Sequence, residues 1–514
     1  MKYRIDNIKI SPSNDDIELY LKNKYKIDDF NYKILLKSID ARDKNNVFYL
    51  YNVMLECNEK ILGKNVSEYV EKSVELDYPK YSFSDRPVVV GFGPSGMFSG
   101  LYLARCGAKP IIIERGSRVE ERKKKVEDFL KNKVLCDNSN VQFGEGGAGT
   151  FSDGKLTTNV KDKLIGFILY EFYKHGAREN ILYESHPHIG TDYLEIIVKS
   201  IREEIISLGG EFYFDTLFMD YSRDKVLCKK LIDDSIIEFK SNHVLLGIGH
   251  SAKDTIRHLY DNMHINIEPK AFSMGVRIEH KREDINKAQY GKFSKYLPSA
   301  YYKLACHNDR GIYTFCMCPG GFVLASTSDN NSIVTNGMSN NDRMGDNSNS
   351  ALLVDVRVDD YYKSSPLDGI DYQEKYEKLA YSISKDYKAP ANLVKEFLED
   401  KIAKEERSIK TSYPHGLTFC DLSKVLPNYV ISGLKFGIVE FDKKLKGFNN
   451  PDAIIIGVES RSSSPVRILR GENRCSSIEG IYPIGEGAGY AGGITSSALD
   501  GLKTAIEIVN KSNE

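Results

Sequence analysis

No stretch of this 514-residue chain approaches 18 consecutive apolar positions, so no membrane-spanning helix is expected, and the first residues lack the apolar core of a secretory signal. Nor does either charge predominate. The 71 Lys and Arg stand against 72 Asp and Glu, a net charge of −1, which gives no long-range basic field and argues against a nucleic-acid partner. Even the charged run over residues 115–125 mixes both signs, as a solvated helix face does. The nine cysteines form an odd set without compact spacing, so neither a disulfide framework nor a metal site is expected. These absences leave a soluble chain, expected in the cytoplasm and long enough for two or three domains.

Against them stands one dense feature. Pro87-Val-Val-Val-Gly-Phe-Gly-Pro-Ser-Gly96 reads as an apolar strand entering a glycine turn, followed by a helix and a second apolar strand, Ile111-Ile-Ile-Glu114. That is the βαβ unit of a Rossmann-like dinucleotide site. Gly91 permits the turn, Gly93 lets the backbone approach a pyrophosphate, and Gly96 lets helix and strand pack closely. The phosphates then sit at the positive helix N-terminus, where Pro94 and Ser95 form the first turn. Glu114 ends the second strand, where a carboxylate accepts both ribose hydroxyls, with Arg115 beside it.

A second nucleotide-type element lies at the far end. Ile481-Tyr-Pro-Ile-Gly-Glu-Gly-Ala-Gly-Tyr-Ala-Gly-Gly-Ile494 reads as a short strand, a turn carrying an acid, and a glycine-rich entry into a helix over 495–509. Two such elements so far apart predict a discontinuous domain, 86–267 and 453–514, with the strand at 244–252 returning the chain to its sheet. The segment 268–452, opening at Glu268-Pro269, is then an inserted α+β substrate domain, with strands near 271–279 and 321–327 and helices near 372–385 and 393–404. Residues 1–78 read as strand, helix, strand, strand, a small α/β domain of ferredoxin-like type.

Further motifs punctuate the chain: Phe143-Gly-Glu-Gly-Gly-Ala-Gly-Thr-Phe-Ser-Asp-Gly-Lys-Leu156, Ser185-His-Pro-His-Ile-Gly-Thr-Asp192, Phe272-Ser-Met-Gly-Val-Arg277, Thr314-Phe-Cys-Met-Cys-Pro-Gly-Gly321, Thr335-Asn-Gly-Met-Ser339 and Glu459-Ser-Arg-Ser-Ser-Ser-Pro-Val-Arg467. In this order, with the Tyr482–Gly493 signature, they resemble the uncharacterised FAD-dependent dehydrogenase family of the glutathione reductase-type flavoprotein superfamily that carries a small N-terminal domain. The resemblance implies FAD. It places Gly485 and Glu486 at the ribityl chain, where that superfamily usually has Asp, and Gly492, Gly493 and Ile494 at the helix N-terminus facing the flavin. It takes Gly146, Gly147 and Gly149 past the isoalloxazine and Lys155 near the electron-rich end of the reduced ring. It names a cofactor and not a reaction.

Chemistry narrows the rest. Arg461 and Arg467 lie shortly before the flavin element, and arginine suits bidentate capture of a carboxylate, so Arg461 and Lys155 are the expected catalytic residues and the substrate a small organic anion. Cys316-Met-Cys318 lacks the Cys-x-x-Cys or Cys-x4-Cys spacing of dithiol reductases and reads as a packed core strand. His186, His188 and His250 are candidate acids or bases, and the polar stretch 327–350 a lid or surface loop carrying Arg343. No second GxGxxG follows a strand, so NAD(P)H either docks without its own Rossmann domain or the electrons come from the substrate. The expectation is an FAD-dependent oxidoreductase of hydride-transfer type. Its rivals are an FAD-dependent RNA-modifying enzyme recruited through the N-terminal domain, and a non-catalytic flavoprotein or redox sensor.

Overall fold

The computed structural model describes residues 1–71 and 75–514. Its N-terminal sheet joins strands Phe30–Asp40, Phe48–Cys57, Lys2–Ile10 and Val66–Glu68 in that spatial order, each neighbour antiparallel. Alternation builds it. Along Phe48–Cys57 every second residue, including Val53 and Leu55, is buried against helix Ile17–Tyr25 and its surroundings. That helix starts where Asp16 accepts a hydrogen bond from Leu19 N (2.8 Å).

The nucleotide-type elements meet in a five-stranded parallel sheet ordered Ile481–Pro483, Val244–Leu246, Val88–Val90, Ile111–Ile113, Glu211–Tyr213. Its three central strands are wholly buried runs of Val, Leu and Ile, as a parallel sheet covered on both faces requires. Helices Pro94–Arg105 and Ile494–Lys511, which follow two of these strands, pack against each other over one face.

The middle of the chain forms a seven-stranded sheet: Ala305–His307, Gly311–Cys318, Asn347–Val356, Phe272–Lys281, Ile454–Glu459, Ala389–Leu393 and Leu417–Phe419. Helix Asn428–Lys444 closes one face over Leu352, Val354 and Ile312. Strand Ile454–Glu459 lies inside this sheet, between Phe272–Lys281 and Ala389–Leu393. The expected boundary at 453 is therefore corrected. The chain leaves and re-enters the nucleotide region through a two-stranded ladder, Ile267–Pro269 against Val466–Ile468, so the insertion runs to about residue 465. The helix expected over 393–404 is corrected too: Val394–Leu398 is a single short helix, cut off where Asp400 turns left-handed.

One loop touches two regions. Lys37 N donates to Tyr183 O (2.7 Å) and Ser185 N to Lys37 O (2.9 Å), adding the loop to the N-terminal sheet. A few residues on, Leu156 N donates to Pro187 O and Ile189 N to Gly154 O, both 3.0 Å, so that His188 pairs with Lys155. No helix among the described residues is long and apolar enough to cross a membrane.

Candidate functional site

The C-terminal ends of the five-stranded sheet and one face of the seven-stranded sheet enclose a cavity of about 970 Å³. Its nucleotide wall is built by glycine. Gly91 has φ +89°, and a Cβ there would collide with Gly247 O, while one on Gly96 would collide with Gly91 O. Only glycine fits either turn. Gly93, the N-cap of the Pro94 helix, has no such neighbour: a Cβ would meet nothing nearer than Gly147 Cα at 3.7 Å. Gly492 and Gly493, at the start of the Ile494 helix, have nothing within 4 Å. Two helix N-termini thus open through bare backbone onto one cavity, the arrangement that receives phosphate and other electron-rich groups.

Of the expected cofactor residues, Gly91, Gly93, Pro94, Ser95, Glu114, Arg115, Gly147, Gly149, Glu486, Gly492, Gly493 and Ile494 line the cavity. Gly96, Gly146 and Gly485 do not. They stand behind the wall, where Gly146 N donates to Phe92 O (2.8 Å) and Gly485 N to Asp500 Oδ2 (2.8 Å).

The role expected of Glu114 changes. Its carboxylate accepts from the backbone N–H groups of Phe92 (2.8 Å), Gly116 (2.9 Å) and Gly144 (3.1 Å), which ties the glycine turn to the glycine loop and leaves room for one further donor rather than two. Arg115 is occupied as well, bidentate to Asp254 and bonded to Asn138. A residue of the supposedly solvated run does more here. Arg122 is wholly buried and donates to the carbonyls of Asn140, Val141, Gly144, Glu145 and Gly147, holding the loop in shape. Only contacts distant in sequence reveal it.

Glu486 pairs with His250, Nδ1 to Oε1 2.8 Å, and both line the cavity. His250 Nε2 is buried without a partner among the described residues. His188 lies outside the lining; its Nε2 meets Asn341 O (2.9 Å), and burial followed by the charge of Arg343 lowers it to about 4. His186 lines the cavity with its ring 5.0 Å from that of Tyr301, and burial lowers its pKa below the ordinary value.

The opposite wall carries Lys155, Tyr301, Lys303, Cys316, Cys318 and Glu459. Lys155 Nζ lies 2.8 Å from Asp153 Oδ2. Burial is the largest influence and opposes its charge, but Asp153 together with the Cys318 and Cys316 sulfurs outweighs it and raises the lysine above its usual value. Asp153 is in turn held by Arg343 through two bonds of 2.9 and 2.6 Å, so Arg343 anchors its segment to the glycine loop. The strand expected at Cys316–Cys318 is present and Cys318 is buried in it, but Cys316 is not packed in a core. The pairing with Asn347–Val356 slips between Phe315 and Cys318, Cys316 takes φ +40°, and both cysteines line the cavity. Cys316 is exposed to the cavity, while the protein packed around it pushes its thiol up to about 11.

Arg461 also borders the cavity, but it is no free anion clamp. Nε and Nη2 reach Glu377 (2.9 and 2.8 Å), Nη2 reaches Asp329 (2.6 Å), and Nη1 reaches Ser251 and Ser328 (3.1 and 2.6 Å). All five of its N–H donors have acceptors inside the protein. Lys253 joins the same buried cluster, 3.0 Å from Glu377. Arg467 is half-exposed and pairs with Glu268 (3.3 Å).

A protein of Clostridium beijerinckii (strain ATCC 51743 / NCIMB 8052), described as an uncharacterized protein, is 44% identical over 539 aligned positions covering 99% of each chain. The chain belongs to that protein's family. Residues 271–462 match the family model described as FAD-dependent protein, C-terminal domain-like. The matched segment supplies every strand of the seven-stranded sheet, and Glu459 with it. Two solved flavoproteins are similar in chain path alone. The glycerol-3-phosphate dehydrogenase of Bacillus halodurans complexed with FAD is 11% identical with a TM-score of 0.38, over 84% of this chain and 66% of its own. A flavoprotein/dehydrogenase of Cytophaga hutchinsonii is 10% identical with a TM-score of 0.36, over 84% of this chain and 78% of its own.

Proposed function

We propose that this protein is an FAD-dependent oxidoreductase of the glutathione reductase-type superfamily that exchanges hydride with a small organic anion. One observation carries the reading: two helix N-termini, entered through the bare glycines Gly93 and Gly493, open onto a single cavity whose other wall belongs to a different sheet. The residues fit the cofactor. The pyrophosphate would lie at Gly93 and Pro94, the adenosine ribose by the remaining lone pair of Glu114, the ribityl chain by Glu486, and the ring over the surface that Gly149 and Ile494 form together. Bound there, FAD supplies a two-electron carrier. In this reading the five-stranded region is the cofactor domain, the insertion the substrate domain, and residues 1–78 a ferredoxin-like module, which its strand order supports although a loop replaces the second helix.

The protein's own side chains do the rest. With Arg461 occupied, the cations left to attract an anion are Lys303 and Lys270, both at the cavity and without an ion pair among the described residues, and Lys155, which keeps donors free beyond Asp153. NADH or NADPH is the proposed reductant, docking without a Rossmann domain of its own. Anaerobic titration of the purified protein with each nucleotide tests this. Bleaching by one identifies the reductant, whereas bleaching by neither removes the nicotinamide step. A protein whose released flavin is FMN, or that carries none, overturns the reading.

A further inference from the structure

Strand Ile454–Glu459 ends at the cavity with a carboxyl group that the fold leaves under-satisfied. Glu459 is 4% exposed and lines the cavity. Among the described residues neither of its oxygens accepts a hydrogen bond. Its near charge is Arg277, whose Nε lies 3.0 Å from Oε2 but at an angle that leaves both atoms unbonded. Arg277 is wholly buried and turns its other nitrogens away, Nη1 to Cys316 O (2.9 Å) and Nη2 to Asn336 Oδ1 (3.1 Å).

The neighbours repeat the pattern. Thr335 Oγ1 and both polar atoms of the Asn349 side chain are buried without partners among the described residues. Asn349 Oδ1, Arg277 Nη2 and Cys318 Sγ converge on Gly337, within 2.6 to 2.8 Å of where its Cβ would stand. Native interiors pair almost all their buried polar groups, so a concentration of unpaired ones beside a cavity calls for a functional cause. The charged and titratable groups nearest Glu459 are Arg277 on the adjacent strand and Cys316 on Gly311–Cys318, with Cys318 beside Arg277 and Lys155 from the glycine loop beside the two cysteines. Arg461, on its own strand end, is turned to Glu377.

We propose that Glu459 is the proton donor and acceptor of the substrate wall and that the substrate couple is an alcohol and carbonyl or an amine and imine; this rests on the oxidoreductase reading. In oxidation the substrate's O–H or N–H bond breaks and its proton bonds to a Glu459 oxygen, while the hydride of the adjacent C–H bond takes both electrons to the flavin. Reduction reverses both transfers. Burial pushes the Glu459 carboxyl up to about 7 against the pull of Arg277, so both of its forms are populated near neutrality.

The test uses the whole flavin-loaded protein and needs no substrate. Flavin absorbance is followed over about two pH units on either side of neutrality in the wild type, Glu459→Gln and His186→Gln. The expected result is a one-proton spectral transition near pH 7 in the wild type and in His186→Gln, absent from Glu459→Gln, with FAD retained in all three. The same transition in Glu459→Gln, or none in the wild type, overturns the proposal while the FAD reading stands. If Glu459→Gln does not hold its flavin, Glu459→Asp replaces it: a displaced midpoint supports the assignment and an unchanged one overturns it. A wild type without FAD sinks both readings together.

Discussion

At the residue scale the most telling pair is His250 and Glu486. In the superfamily that the sequence resembles, Asp is usual where Glu486 stands, and here the longer side chain reaches His250, 2.8 Å away across two interlocked glycine turns. The imidazole holds one carboxylate oxygen, and in the proposed reading the other would face the ribityl chain. His250→Asn and Glu486→Asp should each weaken FAD binding by about 1 to 3 kcal/mol, roughly 5- to 150-fold in Kd, and the double variant should be little worse than either single one. Dissociation constants from flavin fluorescence check this, and additive losses would show two independent contacts. Gly93→Val tests the phosphate end of the same nucleotide wall. Its side chain would fill the space left open before the Pro94 helix, so the variant should fold yet purify colourless. Full yellow colour would remove the pyrophosphate from Gly93.

At the scale of elements, local signals were legible and distant partnerships were not. The strands Val88–Val90 and Ile111–Ile113 announce themselves by apolar runs beside a glycine turn, and the Ile494 helix by the glycines before it. Helix Asp368–Ser384 could be read from its periodicity, but nothing local says that its Glu377 meets Arg461, 84 residues on. Strand Ile454–Glu459 falls in the segment assigned to the nucleotide region yet lies in the seven-stranded sheet, because sheet membership is decided by partners elsewhere in the chain. The slip in pairing at Cys316 escaped because a positive φ carried by cysteine leaves no glycine to mark it.

The Glu377 cluster yields a prediction about how these elements are held together. Burial works to raise the Glu377 pKa, but Arg461 and Lys253 outweigh it and hold it well below the ordinary carboxylate range. Its stabilising contribution is therefore present above the unfolded value of about 4.3 and lost as pH falls below it. Glu377→Gln leaves two buried cations short of their partner and should cost about 3 to 5 kcal/mol at neutral pH. Denaturant unfolding of wild type and variant between about pH 7 and pH 3.5 measures the gap. A gap that fails to narrow on acidification would show that the carboxylate's charge is not what matters.

At the scale of the whole molecule, no residue lining the cavity precedes Val90. Deleting residues 1–70 should therefore leave a yellow protein, and a colourless one would place the N-terminal sheet among the requirements for the cofactor. The deletion should still be visible in the flavin. The loop that adds itself to the sheet edge at Lys37 also fixes the backbone of Lys155 through His188, so one end of a short lever rests on the sheet and the other on a cation at the cavity wall. Loss of the sheet should move the flavin's reduction potential, measured by equilibration with a reference dye, and an identical potential would show that the lever is slack. If it is taut, any molecule that settles on the N-terminal sheet writes its arrival into the colour of the protein, and the same loop that joins two regions becomes a gauge of what the outer one is holding.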